Sequence, residues 1–226
     1  MKISEIFESV QGEGTNAGKQ AIFLRTAECN LKCTWCDTKY TWDWKNFDYA
    51  KEVKEMSIKE ISESLEQSTI RHLVITGGEP LMQQQDLVEL LTSLKSEFYI
   101  EVETNCTILP KNEFTVLVDQ WNVSPKTKNS GNFLELCEKN ECYSFFSKQK
   151  NCYFKYVVED DDDLREISDL ISKYGLDKKK VLLMPQAVTK SEIISREKIV
   201  TKLAKDSKLG YSPRMHVSMW GSQRGK

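Results

Sequence analysis

His72-Leu73-Val74-Ile75-Thr76-Gly77-Gly78-Glu79-Pro80 decides the fold. His72 to Thr76 is a short apolar strand, and the next four residues turn the chain into a helix with Pro at an early position. That helix carries Leu87, Val88, Leu91 and Leu94 at helical spacing. The alternation continues on both sides. Residues 98–102, 116–123, 153–158 and 181–184 read as strands, and 131–140 as a polar, helix-like stretch. Residues 160–163 make an acidic first turn for a helix bearing Leu164, Ile167, Leu170, Ile171 and Tyr174, stopped by Gly175. Thr189-Lys-Ser-Glu192 is a capping box opening a helix to about Gly210. Toward the N-terminus, Ser57-Ile-Lys-Glu60 is another, with Ile58, Ile61 and Leu65 on one face. Residues 21–26 read as the first buried strand, and 8–20, with three glycines, as a loop.

Strands alternating with helices predict an α/β fold with a mostly parallel sheet and helical crossovers. About six units are present, whereas a complete eight-fold barrel needs roughly 250 residues. An open, partial β/α barrel fits 226 residues as a single domain, 1–226. Chemistry in such folds sits at the C-terminal ends of the strands. The polar motifs fall there: Arg25, the cysteines that follow it, Gly77-Gly-Glu, Glu103-Thr-Asn, Ser124-Pro-Lys and Pro185-Gln186.

The cluster loop, 27–38, holds Cys29, Cys33 and Cys36 in the spacing Cys-x3-Cys-x2-Cys. Three thiolates suit a cubane iron–sulfur cluster with one iron left open for a small molecule. The remaining cysteines, Cys106, Cys137, Cys142 and Cys152, are too scattered for a second cluster and read as free thiols. The formal net charge of −2 gives no sign of a general nucleic-acid binder. No apolar run approaches the roughly 20 residues a membrane span needs. The N-terminus lacks a secretory layout, so a cytoplasmic chain with reduced thiols is expected. The aromatic insert 40–56, with Trp42, Trp44, Phe47 and Tyr49, is expected to fold its rings back onto the domain, a substrate-covering lid being the other reading. Residues 214–226 are expected to form a final strand and a basic tail.

Cys-x3-Cys-x2-Cys, with Trp35 before the third cysteine, resembles the radical S-adenosylmethionine superfamily. Together with Ser9-Val-Gln-Gly-Glu-Gly14, Trp35-Cys-Asp-Thr38, Glu103-Thr-Asn105, Ser124-Pro-Lys126 and His216-x3-Trp220-Gly, the chain resembles its 7-carboxy-7-deazaguanine synthase family nearly end to end. The resemblance implies a [4Fe–4S] cluster on Cys29, Cys33 and Cys36, with S-adenosylmethionine on the open iron. It implies conversion of 6-carboxy-5,6,7,8-tetrahydropterin to 7-carboxy-7-deazaguanine with loss of ammonia, in queuosine and 7-deazapurine synthesis. A 5′-deoxyadenosyl radical would take a substrate hydrogen and later return it. It also implies Mg2+, a homodimer and an electron donor such as flavodoxin, with no nucleic-acid or membrane partner.

By position, Trp35, Asp37, Gly77, Gly78, Glu79, Glu103, Asn105, Ser124, Lys126 and Gln186 would bind S-adenosylmethionine. Val10, Gln11, Gly12, Glu13, Arg25, Thr76 and His216 would meet the substrate, and Thr38 would ligate Mg2+. Gln11 and Glu13 suit the donors of an amino-pyrimidinone edge, and Arg25 a carboxylate. Each has a plainer reading: a loop acid for Glu13, a strand-end salt bridge for Arg25, a capped turn for Thr38, an exposed lysine for Lys126 and a structural histidine for His216, whose substrate contact would be through its backbone. Glu28 stands where that family usually has a small residue. Two other functions compete. A glycyl-radical activating enzyme leaves Gln11-Gly-Glu-Gly14 unexplained; a non-catalytic iron–sulfur or zinc module leaves Gly77-Gly-Glu without use.

Overall fold

The computed structural model describes residues 1–94 and 97–226. One sheet runs through it, with strands in the order β3-β1-β2-β4-β5-β6-β7-β8-β9. The strands are β1 (Lys2–Val10), β2 (Gln20–Thr26), β3 (Lys54–Glu55), β4 (His72–Gly77), β5 (Tyr99–Thr104), β6 (Gln120–Val123), β7 (Cys152–Val158), β8 (Val181–Pro185) and β9 (Gly210–Tyr211). From β2 to β9 every neighbouring pair is parallel, while β1 runs antiparallel to β2 and β3. The parallel strands follow chain order without reversal, as in a barrel, and the terminal strands β3 and β9 leave it open.

The helices are α1 (Tyr49–Glu52), α2 (Ile58–Glu66), α3 (Gln84–Ser93), α4 (Asn112–Thr115), α5 (Leu134–Cys137), α6 (Asn140–Phe146), α7 (Asp161–Tyr174), α8 (Lys190–Ser207) and α9 (Met215–Trp220). Both capping boxes close as expected: Ser57 with Glu60 starts α2, and Thr189 with Glu192 starts α8. The Asp160 side chain accepts from the amides of Asp162 and Asp163, and Gly175 ends α7 at φ 61°, a left-handed position that suits glycine. The apolar faces of these helices cover the sheet. Leu24, Leu73, Ile75 and Val102 of the strands pack in one core with Ile61, Leu65, Leu87, Leu90 and Ile167 of the helices. Burying each such side chain contributes roughly 1.5–3 kcal/mol.

Four expectations are corrected. Residues 2–10 form a strand, so the N-terminal loop begins at Gln11. The strand expected over 116–123 starts at Gln120; Val116 is exposed and caps the short helix α4. The helix-like stretch expected over 131–140 holds only the short α5, and α6 begins at Asn140 and sends Cys142, Tyr143 and Phe146 into the main core. The C-terminal segment forms helix α9, where a final strand was expected. Among the described residues no helix is long and apolar enough to cross a membrane.

Candidate active site

The cluster loop leaves β2 and is pinned by the turn after β4. The Glu79 amide donates to the Glu28 carbonyl (2.8 Å) and the Gly78 amide to the Thr26 carbonyl (3.0 Å). A Cβ on Gly78 would lie 1.9 Å from the Glu28 carbonyl oxygen, so the β4 turn and the cluster loop touch only because that residue is glycine. Glu28 itself holds φ 71°, and its carboxylate turns away to Lys2 (2.7 Å), which offsets the extra charge beside the cysteines.

Each sulfur of the motif faces an N–H. The Leu31 amide lies 3.5 Å from Cys29 Sγ, Asn132 Nδ2 3.3 Å from Cys33 Sγ, and Trp42 Nε1 3.4 Å from Cys36 Sγ. Donors aimed at sulfur suit thiolates and tune a cluster's potential. Burial pushes the Cys29 thiol up to about 12, so a thiolate there needs the positive charge of bound iron. Among the described residues no three His, Cys, Asp or Glu side chains converge as they would on a single ion. Three cysteine sulfurs within one loop suit a cubane cluster with one open iron, whereas a structural zinc takes four ligands.

Below the sulfurs opens a cavity of about 460 Å³, lined by the C-terminal ends of the parallel strands, by the loop after β1 and by α9. Its far wall is an ion-pair lattice. Lys155, in mid-β7, bonds to Glu13 and lies 3.5 Å from Glu103. Arg214, just before α9, reaches Glu13 through Nε (3.0 Å) and Asp37 through its terminal nitrogen. Burial alone would push the Glu13 carboxyl up, but Lys155, Arg214 and His216 outweigh it and hold it well below the usual carboxylate range. The same contest, won by Arg214, keeps Asp37 low. Arg25 pairs through Nε with Glu5 (2.9 Å) while facing the cavity.

Three comparisons bear on this arrangement. A family described as a 4Fe-4S single cluster domain matches residues 10–120. The 7-carboxy-7-deazaguanine synthase of Pyrobaculum aerophilum is 36% identical over 100% of this chain and 97% of its own length. The chain belongs to the 7-carboxy-7-deazaguanine synthase family. The synthase of Clostridium acetobutylicum is 32% identical over 99% of this chain and 97% of its own. Among solved structures, QueE from Escherichia coli superposes with a TM-score of 0.71 at 25% identity, covering 95% of this chain and 94% of that one. SuiB of Streptococcus suis, bound to S-adenosylmethionine, shares the fold alone: TM-score 0.53, 16% identity, 81% of this chain and 44% of that one. The protein is thus a radical S-adenosylmethionine enzyme with a 4Fe-4S cluster, built on an open, mostly parallel sheet.

The site residues expected from the sequence all line the cavity except Glu79 and Gln186. Glu79 is fully buried behind the wall, accepting from Leu81 N (3.0 Å), Thr104 Oγ1 (2.9 Å) and Asn105 N (2.7 Å). Gln186 is also buried; its carbonyl accepts from Arg196. Gln11 is turned inward, donating to Glu101 (2.7 Å) and Glu103 (3.3 Å) and accepting from the Glu13 amide (3.2 Å). Lys126 is no free lysine: it bonds Ser124 Oγ (2.8 Å) and sits 5.8 Å over the Trp35 ring. His216 lies on α9, with its ring against Gly12 and Nε2 3.8 Å from Glu13, so its side chain faces the site. The insert does reach back onto the domain, through Tyr40 to Glu5 (2.8 Å) and Trp42 to Cys36 Sγ (3.4 Å), and it also supplies Tyr40, Trp42 and Phe47 to the cavity wall. Lys155 and Arg214 were not foreseen. A lysine in the apolar run Tyr153-Phe-Lys-Tyr-Val-Val158 was the available signal, since a lysine buried in a strand needs an acid partner.

Proposed function

We propose that this cavity converts 6-carboxy-5,6,7,8-tetrahydropterin to 7-carboxy-7-deazaguanine with loss of ammonia. The observation that carries the reading is one cavity with three cysteines at one end and the Glu13–Lys155–Arg214 lattice at the other. Cys29, Cys33 and Cys36 would hold the cluster, and Trp35, Asp37, Gly77, Gly78, Glu103, Asn105, Ser124 and Lys126 S-adenosylmethionine. Bound there, these groups supply one-electron cleavage of a sulfonium and abstraction of a substrate hydrogen.

The chain's own residues do the rest. Glu13, kept ionised by its two cations, accepts hydrogen bonds from the pterin's amino and ring N–H donors. Val10, Gln11, Gly12, Thr76 and His216 shape that end of the pocket. Arg25 spends only Nε on Glu5, so its terminal nitrogens suit the substrate carboxylate. Tyr40, Trp42 and Phe47 narrow the mouth against water. Thr38, two residues past the last cysteine, presents its hydroxyl 3.5 Å from Cys36 Sγ. A Mg2+ there would take most of its oxygens from substrate and water. We extend the reading to a cytoplasmic homodimer that takes electrons from a flavodoxin-type donor.

The test is to reconstitute the cluster without oxygen, add reductant, S-adenosylmethionine, Mg2+ and 6-carboxytetrahydropterin, and seek the deazapurine by mass. Product is expected from the parent and none from Cys33→Ala, which should lose cluster and turnover together. A well-formed cluster with no product would refute the reading.

A further inference from the structure

Glu101 bonds Gln11 but does not itself line the cavity, and it is fully buried at the centre of the sheet. Each of its oxygens accepts two hydrogen bonds. Oε1 takes Gln11 Nε2 (2.7 Å) and Asn122 Nδ2 (2.5 Å); Oε2 takes Asn16 Nδ2 (2.5 Å) and His72 Nε2 (2.9 Å). A carboxylate has about four lone-pair positions, and all are used. Two donors come from the sheet, on β4 and β6. The other two, Gln11 and Asn16, bracket the loop that carries Glu13.

We infer that Glu101 is the positioning residue for the substrate loop, holding Gln11 to Asn16 inside the open barrel so that Glu13 meets the pterin. The loop's other anchors each hold a single point: Glu13 pairs with Lys155 and Arg214, and the Met215 amide donates to the Gly12 carbonyl (3.0 Å), whereas Glu101 takes both ends, Gln11 and Asn16. Gly14 N reaches Ser212 Oγ (2.8 Å), and Thr15 Oγ1 accepts from Gln120 (3.0 Å). Its own closure, Gln11 N to the Lys19 carbonyl and Gly18 N to the Gln11 carbonyl (both 2.8 Å), sets its shape and not its seat. A carboxylate suits the place because three amide groups donate to it and the fourth neighbour, the His72 imidazole, donates in its Nε2–H tautomer. A glutamine at 101 has one oxygen and one NH2, so it would face two of those donors with a third. The inference rests on the proposed pterin reaction, but loop seating can be read without turnover.

The experiment compares the reconstituted parent with Glu101→Gln, Glu101→Asp and Asn16→Ala. Stranding buried donors should raise the pterin KM of Glu101→Gln roughly ten- to a hundredfold. Cleavage of S-adenosylmethionine in the absence of pterin should stay at the parent rate. Amide hydrogen exchange across residues 11–19 should speed up, with the strands unchanged. Glu101→Asp keeps the charge and should recover part of the KM; Asn16→Ala should shift it less, in the same direction. Parental KM and parental exchange over 11–19 in both Glu101→Gln and Asn16→Ala would overturn the inference. If Glu101→Gln fails to fold, the other two variants decide by the same readouts. A parent that makes no deazapurine would instead refute the proposed function, and the exchange comparison would still judge the loop.

Discussion

Replacing Lys155 with methionine keeps the length of the side chain and removes its charge. The Lys155 side chain is 4% exposed and lies between Glu13 and Glu103. Breaking a buried pair by deleting one partner costs about 3–5 kcal/mol. Glu13 keeps Arg214 at 3.0 Å, and Glu103 keeps Thr76 at 2.8 Å and is open to the cavity. Those compensations reduce the expected loss to about 2–3 kcal/mol, which for a domain of this size lowers Tm by roughly 4–12 °C. The deficit should depend on pH. Glu13's carboxyl sits below its ordinary value in the folded parent, so its contribution is present above the unfolded value near 4.5 and is lost as pH falls toward the folded one. In Lys155→Met that carboxyl moves up, and the folded variant takes a proton the folded parent refuses. The gap between the two proteins should therefore be full at pH 7.5 and shrink only below the unfolded value, toward about pH 4. Anaerobic thermal melts at both pH values measure it, and pterin KM should rise in parallel. Equal melting temperatures at pH 7.5, with KM unchanged, would show that the lattice does not act as described.

Three further outcomes are expected. Thr38→Ala should assemble a normal cluster by absorbance yet need more Mg2+ for half-maximal turnover; an unchanged Mg2+ titration would remove Thr38 as a ligand. Gly78→Ala drives a Cβ into the Glu28 carbonyl just before Cys29, so it should bind much less iron on reconstitution while the far-UV spectrum stays helical. Trp42→Phe deletes the N–H that points at Cys36 Sγ, and loss of that donor should lower the cluster potential by roughly 20–60 mV in a redox titration.

The parallel strands β2, β4, β5, β7 and β8 were legible because each is a short apolar run ending in polar residues, β6 was legible only in its second half and β9 not at all, and the two capping boxes announced α2 and α8. The edge strand β1 was not. Lys2-Ile-Ser-Glu-Ile-Phe-Glu-Ser-Val10 is half polar and only Ile3 is fully buried, so its order comes from pairing with β2, a partner no local pattern names. Helix α9 was misread as a strand for a related reason. Arg214 is fixed by Glu13 and Asp37, about two hundred and one hundred and eighty residues away in sequence, and the turn that follows it buries Val217. The three cysteines proposed to hold the cluster stood out from spacing alone. Lys155, Arg214 and Glu101 did not, because a charged side chain inside a barrel is explained only by the opposite charges or donors that the fold brings to it.

In the proposed reaction one cavity holds the cluster-bound cofactor against the pterin, so that a hydrogen leaves the substrate and is later returned. Turnover of 6-carboxytetrahydropterin deuterated at C6 tests it. Deuterium is expected at the 5′ carbon of recovered S-adenosylmethionine, with little 5′-deoxyadenosine released per product. Stoichiometric release of 5′-deoxyadenosine, or deuterium found only in solvent, would contradict it.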